Sequence, residues 1–164
     1  MFDHAIAIEL RAAEIYRDFE RFFSHRDDVA AFWADLHDDE LKHAGILKDT
    51  LLSLSRSQLD EETSALMWEQ VYHVYRNINK EDPAAVKNLD DAYEIAHQIE
   101  ASEVNTIFRF LTLECFPSEF REAFISSEIM DHQKKLMDFK KIFGSKAMIS
   151  GIAAMKNRSD SGTC

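Results

Sequence analysis

The sequence predicts an all-α fold: a four-helix bundle whose long crossover connection carries an extra helix. Three observations lead there. Apolar residues recur at alternating spacings of three and four along four long segments, the period of a helix face and not of a strand. Four glycines and two prolines in 164 residues leave little of the punctuation a many-stranded fold needs. Two connections are short and the middle one is long, as in bundles with one crossover.

The first helix is expected over residues 2–24 and the second over 28–55, with "SHRDD" between them and Asp27 or Asp28 as the cap of the second. The third is expected over 89–114, with Asn88 as N-cap and Asp91 three residues on. The fourth is expected over 118–143, opened by Pro117 and Ser118. Between the second and third, the crossover should carry a helix over 62–78, with Pro83 at or beyond its end. In that helix Trp68, Tyr72 and Tyr75 read as the buried face. Residues 1–143 thus form one domain, and 144–164 a tail that is partly helical or disordered and could dock on the bundle or on a neighbouring subunit.

Composition narrows the function classes. A net charge of −11 argues against nucleic acid, which demands a basic surface. No run approaches the roughly 18 apolar residues of a membrane span. "MFDHAIAIEL" lacks the charged and apolar regions of a signal peptide. Cys115 and Cys164 form no C-x-x-C pair and suit a reducing compartment, so a soluble cytoplasmic protein is expected. Cys115 has no basic neighbour or partner histidine to make it a nucleophile.

The informative residues are polar ones on the apolar seams. In the first helix Phe2, Ala5, Glu9, Ala12, Tyr16, Phe19 and Phe23 keep heptad spacing, and Glu9 is the acid among them. In the second, Val29, Trp33, Leu36, Glu40, His43, Leu47, Thr50 and Leu54 do the same, with Glu40 and His43 one turn apart. An internal repeat extends the pattern. Laying the first helix on the third pairs Ala5 with Ala96, Ile8 with Ile99, Glu9 with Glu100 and Phe19 with Phe110. Laying the second on the fourth pairs Leu36 with Phe124, Glu40 with Glu128 and Leu51 with Phe139. Glu9, Glu40, Glu100 and Glu128 should therefore meet at mid-bundle. Four buried carboxylates without a partner would repel one another and resist ionisation. Two divalent cations would neutralise them, and His43 adds an imidazole that suits iron, manganese or zinc.

On these residues the chain resembles the rubrerythrin branch of the ferritin-like superfamily over residues 2–143. The likeness is carried by "AIELRAAEIYRDF", with Glu9 seven before Tyr16, by the E-x-x-H of "DDELKHAGIL", and by "IEASEVNTIF", where Glu100 and Glu103 stand three apart. The resemblance implies a dinuclear iron centre that oxidises Fe(II) while reducing hydrogen peroxide or dioxygen. Glu40 and Glu128 would bridge the ions, Glu9 and His43 would be terminal on one, and Glu103 would be an additional ligand. Glu100 would serve the other ion with the fourth-helix ligand. There the sequence departs from E-x-x-H. "SEIMDHQKKL" places Asp131 at the ligand spacing and His132 one residue later. The repeat favours Asp131, while His132 keeps an i, i+4 relation to Glu128 and Leu136. Tyr16 is either a hydrogen-bonding neighbour of a ligand or a core aromatic. His97, His4, His25, His37 and His73 read as solvated. Two cysteines cannot make a rubredoxin site, so the expected electron donor is a separate rubredoxin-type protein. Relatives of this kind imply a homodimer. Two other readings stand beside it: an iron-binding ferroxidase or carrier without peroxidase turnover, and a non-catalytic helical interaction module.

Overall fold

A computed structural model describes residues 1–59, 65–101, 104–114, 127, 130–132 and 134–144. Among the described residues every regular element is a helix. Helix α1 spans Phe2–Phe22 and α2 spans Asp27–Ser53. A one-turn helix α3, Arg56–Leu59, precedes α4, Ala65–Ile78. Pro83–Ala85 form a 3₁₀ turn, followed by α5, Leu89–Ala101, and α6, Val104–Glu114. Residues 130–132 and 134–139 are helical and lead into a π-helical turn over Lys140–Gly144. Pro117, Ser118, Cys115 and the tail over 145–164 lie outside the described residues. None of the described helices is long and apolar enough to cross a membrane.

Two seams explain why α1 and α2 lie side by side. Every residue of the α1 seam, Phe2 through Phe23, is buried, and so is the α2 seam from Val29 to Thr50. Each large side chain sealed there contributes roughly 1.5–3 kcal/mol of transfer free energy. α1 also packs on α4, α5 and α6, and α6 touches α2, α4 and α5, so α1 runs through the middle of the described fold. His37 Nδ1 lies 2.9 Å from the Ala13 carbonyl oxygen, tying α2 to α1, where the sequence suggested a solvated ring.

Some helix ends follow local capping chemistry, while α1 and α2 begin without a side-chain cap bond. Asn88 Oδ1 accepts from the Asp91 N–H at 3.0 Å, capping α5, and an Asp91 carboxylate oxygen accepts from the Lys87 N–H just before the cap at 2.9 Å. α2 instead begins at Asp27 with Arg26 in the cap position and no side-chain cap bond. Asp27 and Asp28 sit inside the first turn, where their charge complements the exposed N–H groups. Pro83 lies beyond the end of the crossover helix, as the sequence allowed, and opens the 3₁₀ turn, which Asp82 caps by accepting from the Ala84 N–H at 3.0 Å.

The crossover helix is also rotated from expectation. α4 buries the aliphatic stripe Met67, Val71, Val74 and Ile78, whereas Trp68 and Tyr72 are exposed and Tyr75 half-buried. The aromatics flank that stripe and gather around His4, whose ring centroid is 5.1 Å from Trp68 and 4.8 Å from Tyr75. A second aromatic group joins the main core. Trp33 stacks on Tyr16 at 6.0 Å and meets Phe19 at 5.0 Å and Phe139 at 5.2 Å.

Candidate metal centre

Next to that aromatic group the seams turn polar. Glu9 comes from α1, Glu40 and His43 from α2, Glu100 from α5, and His132 from the helical residues 130–132. None of the five is more than 6% exposed. His43 Nδ1 lies 3.2 Å from Glu40 Oε2 and 3.9 Å from Glu9 Oε2. His132 Nε2 lies 3.5 Å from Glu40 Oε1, and its Nδ1 lies 3.3 Å from Glu100 Oε2. Glu40 is the hub, reaching an imidazole with each oxygen. Tyr16 donates its hydroxyl to Glu100 Oε1 at 2.8 Å, so it touches the cluster and packs the core at once.

Burial dominates the electrostatics. Desolvation, then the charge of Glu40, holds the Glu9 carboxyl well above the usual range. Desolvation and the charge of Glu100 do the same to Glu40. Tyr16 is pushed up by burial and by Glu100, and burial pushes His132 down despite the nearby Glu100. Protons are thus held on Glu9 and Glu40 and kept off the His132 ring.

Among the described residues, Glu9 Oε2 and His132 Nε2 are buried and have no hydrogen-bond partner. A His132 tautomer with its hydrogen on Nδ1, beside Glu100, leaves an Nε2 lone pair directed at the Glu40 side. A metal-bound imidazole is oriented by a carboxylate in that way. One ligand atom each from Glu40, His43 and His132 lie within 4.8 Å of one another. Carboxylate and imidazole together suit iron, manganese or zinc. The residues present therefore fit a metal.

The sequence preference for Asp131 is corrected here. Asp131 is exposed and lines a surface cleft, while His132 sits inside the cluster. A neutral imidazole enters a dry interior with a smaller penalty than an ionised carboxylate. Helical phase says the same, because His132, Leu136, Phe139 and Phe143 form one buried seam. Glu103 and Glu128 lie outside the described residues. His97, His25 and His73 are exposed, as expected. Sequence reasoning missed the layer outside His132, where Lys135 Nζ is 2.7 Å from Asp35 Oδ2 and also pairs with Asp39. Burial would lower the Lys135 pKa, but the hydrogen bonds it donates to Asp35 and Asp39 turn the net shift upward.

The chain matches no family model, no curated protein and no solved structure. The reading of the site rests on its residues.

Proposed function

We propose that this chain is a ferritin-like four-helix protein whose mid-bundle cluster holds a dinuclear metal centre, most simply iron, in a rubrerythrin-like redox protein. One observation carries the reading: five ionisable side chains converge without solvent, with ligand-type atoms of Glu9 and His132 left unpartnered. Buried groups of this kind are otherwise hard to reconcile with stability. Glu9, Glu40, His43, Glu100 and His132 would hold the ions, and the resemblance adds Glu103 and Glu128. When bound, iron supplies the one-electron chemistry that couples Fe(II) oxidation to reduction of peroxide or dioxygen.

The residues of the chain have separable tasks in that reading. Glu40 presents one oxygen toward each imidazole and so links the two histidines. Tyr16 fixes Glu100 through its hydroxyl, and Glu100 in turn steadies His132. The Trp33 and Phe19 rings beside Tyr16 keep water from that side. A separate rubredoxin-type electron donor, a homodimer and a cytoplasmic location go with this function.

The test is an anaerobic Fe(II) titration of the metal-free chain, with metal counted after gel filtration. About two irons per chain, lost in Glu40→Ala, are expected for a dinuclear carboxylate centre. Wild-type protein that retains no iron would overturn the reading. Loaded protein that consumes peroxide no faster when rubredoxin and its reductase are added would leave an iron carrier in its place.

A further inference from the structure

Among the described residues, the buried cluster comes close to a surface cleft at Asp39. Asp39 immediately precedes Glu40 in α2 and has a quarter-exposed side chain. Its Oδ2 lies 4.0 Å from His132 Nε2 on the inner side. On the outer side it lines a polar cleft of about 440 Å³ shared with Lys42, Asp131, Lys134, Lys135 and Asp138. The unpartnered His132 Nε2, on a residue only 2% exposed, therefore sits just below the cleft. The Lys135 ammonium is held there between the Asp35 and Asp39 carboxylates.

We propose that Asp35, Asp39 and Lys135 form the gate through which a divalent cation passes between solvent and the buried cluster, with the Lys135 side chain as its removable plug. The inference rests on the metal reading of the cluster and adds the route and its control. A cation needs carboxylates at the mouth, a donor atom within reach below, and a barrier that can move aside. Asp35 and Asp39 supply the first and His132 Nε2 the second. An ammonium between two carboxylates occupies the place a divalent ion would take. Lysine is a compact charge on a flexible four-carbon stem, so it can swing into the cleft without moving a helix. The acidic surface of the whole chain, with net charge −11, concentrates cations outside.

The gate is tested by mixing the metal-free chain with Co(II) and following uptake by stopped-flow absorbance, then following release into excess chelator. Lys135→Met is expected to speed uptake and release alike, by about threefold to tenfold, as two partly exposed ion pairs are lost. Affinity and final stoichiometry should stay at wild-type values, because a gate alters a barrier in both directions. Lys135→Gln carries the same expectation should the methionine variant fold poorly. Lys48→Met, which removes an exposed charge elsewhere on α2, should load like wild type. Wild-type rates in both Lys135 variants, equal acceleration by Lys48→Met, or an altered affinity with unchanged rates would each overturn the gate. Wild-type protein that binds no Co(II) at equilibrium would overturn the metal reading as well, which separates the two failures.

Discussion

Replacing Glu9 with methionine should make the metal-free chain more stable, although it removes a residue from the middle of the core. Glu9 is 2% exposed, its Oε2 has no hydrogen-bond partner among the described residues, and burial holds its carboxyl well above the usual range. An unsatisfied buried polar atom costs about 1–3 kcal/mol, which the hydrogen bond between Glu9 and Glu40 only partly offsets. Methionine has similar reach and adapts to irregular space. A gain of about 2 kcal/mol corresponds to about 4–8 °C in melting temperature for a domain of this size. The sign of its pH dependence follows from linkage. Folded Glu9 keeps its proton to higher pH than unfolded Glu9, so wild-type stability falls as pH rises through and above the ordinary carboxyl range. The methionine variant lacks that loss, and its advantage should widen from pH 5 to pH 8. Fe(II) added anaerobically should raise the wild-type melting temperature and raise the variant's far less. Calorimetry on metal-free and loaded samples decides it. A metal-free methionine variant that melts at or below wild type would refute the argument that the acid is held there against stability.

Tyr16→Phe keeps the ring stack but removes the donor to Glu100, and should lower stability by about 1.5–3 kcal/mol in urea denaturation, the range for a bond to a charged group. His132→Ala should lose metal stoichiometry while Asp131→Ala keeps it, as counted by elemental analysis; the reverse result would restore the repeat-based assignment. Asn88→Ala should destabilise by about 1 kcal/mol through loss of the α5 cap, with metal stoichiometry unchanged.

The α1 and α2 seams were legible because their spacing is regular and nearly every member is apolar, so the polar exceptions stood out. Asn88 was legible because capping is local chemistry. Burial favours His132 over Asp131 although the repeat, aligned through Leu36 and Phe124, Glu40 and Glu128, and Leu51 and Phe139, favours Asp131. Leu51 is only half-buried and Thr50 is the seam residue. Shifting one residue pairs His43 with His132, Leu47 with Leu136 and Thr50 with Phe139, but it moves Glu40 off Glu128 and onto Ile129, so no single register aligns both the acid and the imidazole. The α4 aromatics mislead because large size suggests burial, whereas the stripe Met67, Val71, Val74 and Ile78 is the buried one. The Asp35–Lys135–Asp39 group was invisible in the sequence, since Lys135 and Asp39 stand 96 residues apart.

That separation bears on how the chain assembles. α1 and α2 are joined by a short turn, so Glu9, Glu40 and His43 can meet through contacts of low contact order, the kind that form early. Tyr16 and Glu100 are 84 residues apart, and closing so long a loop carries an entropic penalty that the second half must overcome by docking. The hairpin therefore presents three of the cluster's polar groups before the other two arrive to cover them. Amide exchange should then find the segments bearing Glu100 and His132 opening at lower free energy than the α1–α2 hairpin, with bound ions narrowing the gap. In that order of events the cluster is the last part of the fold to close and the first to open.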